Sequence, residues 1–168
     1  LIDLHGAPGS QNGNDHSGQV GEVRFYEDDN IGRALGTVEY MAQTYGRHPA
    51  LMGLELINEP KLAWPSGPTW PGRPARDLNS LMDYYARALE ITARHMPPDV
   101  KVIVGDGFQP ERVSRELGRR GLRDRVVLDV HHYQCFSEED KRLTYQQHID
   151  KANREMRRQL SRLGKQGL

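Results

Sequence analysis

Only one cysteine, Cys135, occurs in the 168 residues, so the chain has no internal disulfide partner and no second thiolate for a metal site. Net charge is missing as well. The 23 Lys and Arg are balanced by 23 Asp and Glu, and without a field of either sign no general attraction to nucleic acid or to an anionic membrane is expected. Long apolar runs are absent too. None approaches the roughly 20 residues that span a bilayer, so membrane insertion is not expected. No G-x-G-x-x-G follows a strand: the first apolar run leads into His5-Gly6-Ala7-Pro8-Gly9-Ser10, where a proline stands among the amides a dinucleotide would need, which argues against a Rossmann-type site. Internal repeats and low-complexity stretches are also lacking. What remains, 36% hydrophobic residues over this length, is enough to bury a core and argues against disorder.

Short apolar runs alternate with longer helical patterns four times, the rhythm of consecutive βα units and a parallel sheet. The pattern predicts strands over residues 1–4, 51–57, 100–104 and 126–130, and helices over 31–45, 78–95, 110–117 and 145–163. Residues 5–26 and 58–76 form long polar loops rich in Gly, Pro, Asn and Trp, and both follow the carboxyl end of a strand. The other turns are short. Long βα loops beside short αβ turns place the functional surface at the carboxyl ends of the strands, as in a (β/α)₈ barrel or a doubly wound sheet. A whole barrel needs roughly 200 to 250 residues, whereas four units fill this chain. Residues 1–168 are therefore read as the central part of one catalytic barrel. A strand-like start, Leu1-Ile2-Asp3-Leu4-His5, and a helical end closing on Gly164 and Gly167 lead to the expectation of truncation at both ends.

Asn58-Glu59-Pro60 closes the second predicted strand. Glu59 is thereby aimed at the cleft, and Pro60 is expected to keep it out of helical geometry. Most glutamates in turns are simply solvated. Here Asn58 offers an amide to a ligand hydroxyl, and the apolar strand behind is expected to raise the carboxyl pKa toward the general-acid range. His5 ends the first strand, and His131-His132-Tyr133 ends the fourth. A lone strand-end histidine is commonly structural, but Asp3, His5, Asn58, Glu59, Asp106, His131, His132 and Tyr133 all fall on the same face, as the catalytic residues of barrel enzymes do.

Three strings, Ile2 to Gly13 (I-D-L-H-G-A-P-G-S-Q-N-G), Leu54 to Pro60 (L-E-L-I-N-E-P) and His131 to Ser137 (H-H-Y-Q-C-F-S), resemble successive signatures of glycoside hydrolase family 5, in its exo-β-1,3-glucanase branch. The resemblance implies a partial (β/α)₈ TIM barrel comprising about strands 3 to 6 with their helices. It implies a retaining hydrolase that cleaves β-glucosidic bonds and acts from the end of β-1,3-glucan or short β-glucosides, without metal or other cofactor, outside the cell or in a periplasm. It assigns Glu59 as the general acid/base and Asn58 as the holder of the sugar hydroxyl next to the reacting carbon. His5, His131 and Tyr133 would shape the subsite, Phe136 would be an aromatic platform, and Asp15 would grip the terminal glucose. Two departures stand out. Asn14 occupies a position where the branch has an aromatic residue, and no G-E-W type motif supplies the nucleophilic glutamate, since Glu111, Glu116, Glu138 and Glu139 fall in predicted helices or turns.

Other readings remain open on sequence alone. The same residues would serve an endo-acting cellulase or mannanase of the family. A metal-dependent hydrolase would use His5, His131, His132 and Asp106, though the strand ends carry no paired-histidine motif such as H-x-H on the first. A sugar-binding remnant without a nucleophile is the third alternative. Arg154, Arg157, Arg158, Arg162 and Lys165 read as the solvated face of an amphipathic helix whose apolar side is Met156, Leu160 and Leu163. Trp64 and Trp70 suit either sugar stacking or loop packing, and Cys135 is expected to be buried.

Overall fold

The computed structural model describes residues 1–62 and 73–165. Four strands, β1 (Ile2–Asp3), β2 (Gly53–Glu55), β3 (Lys101–Gly105) and β4 (Val127–Asp129), form one parallel sheet in chain order. Helices α1 (Asp28–Tyr45), α2 (Arg73–His95), α3 (Pro110–Arg119) and α4 (Tyr145–Gly164) follow them in turn. The α/β alternation and all four strand–helix pairs are as the apolar pattern predicts.

The strands are shorter than the apolar runs because regular pairing gives way early to loops. Its backbone bonds nevertheless continue: Leu4 N–H donates to Glu55 O at 3.2 Å, Leu56 N–H to Ile103 O at 2.9 Å, and Asn58 N–H to Leu4 O at 3.1 Å. Register places Ile2 beside Leu54 and Leu54 beside Val102. With side chains alternating between faces, this row is backed by the helices, and Leu54, Leu56 and Val104 are almost wholly buried. The other face carries Asp3, Glu55 and Asp129.

Helix α1 buries Ile31, Ala34, Leu35, Val38 and Ala42, the spacing of one helical stripe. Helix α2 buries Leu78, Leu81, Met82, Tyr84, Tyr85, Ala88 and Leu89 and begins five residues before its apolar stripe, since a proline such as Pro74 is accommodated in a helix's first turn. Two buried tyrosines on it reach the sheet. Tyr84 Oη donates to Leu56 O at 2.6 Å and Tyr85 Oη to Gly105 O at 2.8 Å, satisfying strand-end carbonyls that the ladder leaves open.

Helix α4 starts on a capping box, in which Thr144 Oγ1 accepts from Gln147 N and the Gln147 side chain accepts from Thr144 N at 2.8 Å. Its arginines 154, 157, 158 and 162 and Lys165 are exposed, as expected for a solvated face. Leu163 is buried but Leu160 is 60% exposed, so the apolar side is narrower than its periodicity implies. Cys135 is exposed rather than buried, because it lies in the loop beyond β4 and not in the sheet. Trp64, Trp70 and Gly167 lie outside the described residues.

Candidate active site

Glu59 is held in an unusual backbone conformation at the mouth of the sheet. Its φ is 45°, in the left-handed region that non-glycine residues rarely occupy and that persists only where surroundings over-determine it. Pro60 does exclude right-handed helix here, yet the residue is not extended as a pre-proline position usually is. The loop after β1 supplies the constraint. Gln11, fully buried, accepts from Ala7 N at 3.0 Å and donates through Nε2 to His5 O at 2.8 Å and Asn58 O at 2.9 Å. Asn12 Nδ2 donates to Glu59 O at 3.2 Å, and Lys61 N–H donates to Gln11 O at 2.9 Å. From the other side Gly105 leaves room: a Cβ there would sit 2.9 Å from Pro60 Cδ and 3.0 Å from Ile57 O.

The Glu59 side chain is 7% exposed and both of its oxygens are engaged. Tyr133 Oη donates to Oε1, and His131 Nδ1 lies 2.7 Å from the same atom. His16 Nε2 is 3.2 Å from Oε2. Burial pushes this carboxyl up, but hydrogen bonds from Tyr133 and His131, with the charge of His131 and His16, outweigh it and leave the pKa below the ordinary glutamate value. The expected rise is thus reversed, because the strand end delivers donors as well as apolar walls. Tyr133 responds oppositely. Its hydrogen bond to Glu59, with some burial, pushes the phenol up to about 12, so it remains an O–H donor across the working range.

The remaining predicted residues take varied places. Asn58 is buried beside Glu59. His5 is exposed, with Nδ1 2.6 Å from Asp3 Oδ2, and its ring meets His16 edge-on at 5.5 Å, so it approaches Glu59 only through that second imidazole. Phe136, 77% exposed, packs edge-on against Tyr133 at 5.5 Å. Asp15 projects into solvent and accepts a hydrogen bond from the His16 amide at 2.9 Å. It does not touch Glu59. His132 turns to helix α4, where Nε2 lies 3.1 Å from Glu155 Oε2. That pair lines a cleft of about 250 Å³ with Glu111, Arg158, Gln159 and Arg162, separate from the residues around Glu59.

Three further groups join the site: His16, Phe108 and Asp129. The Phe108 ring lies 6.5 Å from His131 and 6.4 Å from Tyr133. Asp129 Oδ2 is 3.2 Å from His131 Nε2, and its spacing of two from His131, with the chain extended past the end of β4, was the available signal. Glu55, Asp129 and His131 bring polar atoms within 4.8 Å of one another. Both His131 nitrogens face carboxylates, Nδ1 that of Glu59 and Nε2 that of Asp129. Burial, with the charges of Asp3 and Asp129, pushes Glu55 up to about 7; burial also pushes Asp106, which accepts from Phe108 N at 2.9 Å, up to about 6.

A buried carboxyl at the carboxyl end of a parallel strand is gripped here by imidazoles and a phenol, an arrangement that can exchange a proton with a polar ligand. No protein-family model matches the chain. It is similar to glucan 1,3-beta-glucosidase of Lachancea kluyveri, 33% identical over 159 residues, which is 90% of this chain and 33% of that protein. Glucan 1,3-beta-glucosidase I/II of Saccharomyces cerevisiae is 32% identical over 88% of this chain and 32% of its own length. Probable glucan 1,3-beta-glucosidase A of Aspergillus niger is 35% identical over 81% and 29%. The chain thus spans about a third of the length of the curated relatives it matches.

Proposed function

We propose that these residues form the acid/base side of the active site of a retaining β-glucosidase that acts on β-1,3-glucan from the chain end, in a (β/α)₈ barrel of glycoside hydrolase family 5 type. The observation that carries this reading is the Glu59 carboxyl at the end of β2 with His131, Tyr133 and His16 on its two oxygens. The relatives' names support the substrate class.

In this reading Glu59 protonates the glycosidic oxygen as the bond breaks, then takes a proton from the water that releases the sugar. Asn58 holds the hydroxyl next to the reacting carbon, while His5, His131 and Tyr133 shape the subsite. Phe136 stacks on a sugar, and Asp15 grips the terminal glucose. Retention needs a second carboxyl about 5 Å away as nucleophile. Glu111 and Glu116 lie in α3, and Glu138 and Glu139 are exposed in the loop beyond β4. We assign the nucleophile to sequence outside these 168 residues.

The test uses the full-length protein with Glu59→Ala. Hydrolysis of a laminari-oligosaccharide, whose leaving group must be protonated, should fall by about 10² to 10⁴-fold. A dinitrophenyl glucoside should still form the glucosyl-enzyme, and added azide should release β-glucosyl azide with retained configuration. Equal loss on both substrates with no azide product removes Glu59 from the acid/base role.

A further inference from the structure

The arrangement of His131 has a consequence beyond subsite shape. One ring nitrogen faces Glu59 Oε1 at 2.7 Å and the other faces Asp129 Oδ2 at 3.2 Å. Each contact requires one hydrogen between the heavy atoms, because two facing lone pairs repel. The three side chains therefore hold two protons between them. Two distributions satisfy both contacts and leave Asp129 ionised. In one, His131 is an imidazolium between two carboxylates. In the other, Glu59 carries a proton, donates it back to a bare Nδ1, and the neutral ring keeps its hydrogen on Nε2, bonded to Asp129.

Resting on the acid/base reading of Glu59, we propose that Asp129 is a positioning residue that holds the His131 hydrogen on Nε2, so that Glu59 is loaded through a Glu59–His131–Asp129 proton chain. Loading breaks the Nδ1–H bond of the imidazolium and forms the Oε1–H bond of Glu59. The ring becomes neutral, and the charge of Asp129 is unchanged. When Glu59 later takes a proton from water it can return one to Nδ1 by the reverse step. The neighbours that lower the Glu59 pKa would leave it a poor acid by itself, yet one of them is the store from which it is protonated. Burial draws the His131 pKa down, but bonds to Glu59 and Asp129 more than compensate and raise it, so the imidazolium is the resting form and transfer to Glu59 is an uphill step taken as the glycosidic oxygen claims the proton.

The groups facing this chain come from every strand. Glu55 lies on β2 and Asp3 on β1, with His5 just beyond β1 and Asp106 just beyond β3; Tyr133 and His16 complete the set around Glu59. Glu55, 5% exposed and with Oε1 unbonded, retains its own proton up to about pH 7. In that range it adds no second negative charge next to Asp129.

The test compares wild type with Asp129→Asn and Asp129→Glu in the full-length protein. Asparagine keeps the size but loses the charge that holds the imidazolium. The alkaline limb of the kcat/KM profile on a laminari-oligosaccharide should move acidward by about one pH unit. At neutral pH the rate should fall about tenfold or more, the worth of one charge-assisted hydrogen bond. Formation of the glucosyl-enzyme from a dinitrophenyl glucoside should be little changed, and Asp129→Glu should restore part of the limb. Nitrogen-15 shifts of the His131 ring in the wild-type protein give an independent reading, with hydrogens expected on both nitrogens near neutral pH. An unmoved limb, or equal loss on both substrates, overturns the proposal, as does a neutral wild-type ring with its hydrogen on Nδ1. Failure of the Glu59→Ala test above would instead strike the acid/base reading itself.

Discussion

The side-chain amide of Asn12 donates to the backbone carbonyl of Glu59 at 3.2 Å, tying the loop after β1 to the residue whose φ of 45° needs external support. Asn12→Ala should lower stability by about 1 kcal/mol, the usual net worth of a buried hydrogen bond. It should also reduce kcat on an oligosaccharide more than it raises KM, since the acid is misplaced rather than the sugar unbound. Chemical denaturation and steady-state kinetics of the full-length protein read both effects. A variant with wild-type kcat would mean that the turn holds its conformation without the loop.

Tyr133→Phe removes a donor that favours ionised Glu59, so the carboxyl pKa should rise. The depressed pKa contributes stability that is present above the unfolded value of about 4.3 and is lost as pH falls through the lower folded value. The variant should lose part of that contribution. Carbon-13 titration of the Glu59 carboxyl measures the shift directly, and a pKa that stays put or falls would remove Tyr133 from its causes.

Glu55 titrates with the opposite sign. Its folded pKa, raised from 4.5 to about 7, means that the native state binds a proton more tightly than the unfolded chain. Stability attributable to it is full below about pH 4.5 and declines as pH rises through 7. The full shift corresponds to about 3 kcal/mol. Glu55→Gln, which stays neutral, should therefore be the more stable protein at pH 8 and should lose the downward slope between pH 4.5 and 7. Denaturant midpoints across that range decide it, and parallel wild-type and variant curves would be the contrary result.

Gly105→Ala places a methyl group 2.9 Å from Pro60 Cδ and 3.0 Å from Ile57 O. Backbone in this turn cannot yield as a flexible side chain would. A cost of about 1–3 kcal/mol is expected, together with loss of activity from displacement of Glu59. Urea unfolding and oligosaccharide turnover test the pair of effects. A variant as stable and active as wild type would show that the Asn58-Glu59-Pro60 turn has slack.

The sequence made the strand–helix alternation legible because apolar spacing reports burial directly, and each helix was found from its buried stripe. The ends of elements were less visible. Strand β2 spans Gly53–Glu55 although the apolar run extends to Ile57, since burial continues where regular pairing stops. In the site, Glu59, His131 and Tyr133 were foreseen together because all three follow apolar strands. His16 was hidden in a polar loop whose path depends on the side chains of Gln11 and Asn12, and no periodicity encodes such a path. Asp129 looked like an ordinary strand residue until the fold brought its carboxylate within 4.8 Å of polar atoms of Glu55 and His131. The sign of the Glu59 shift was misjudged for a related reason: an apolar strand reveals desolvation, but which donors arrive from elsewhere is settled only by tertiary structure.

The buried hydroxyls of Tyr84 and Tyr85 grip the carbonyls of Leu56 and Gly105 from the helix side of the sheet. Two adjacent residues of one helix thereby act as a clamp across the ends of β2 and β3, bracketing the turn that bears Glu59. The outer layer is thus mechanically coupled to the cleft through two hydroxyl groups. Under the proposed function, warming that loosens α2 would blunt the chemistry while the sheet still stands, and selection for heat resistance would act on the back of the protein as much as on its open face.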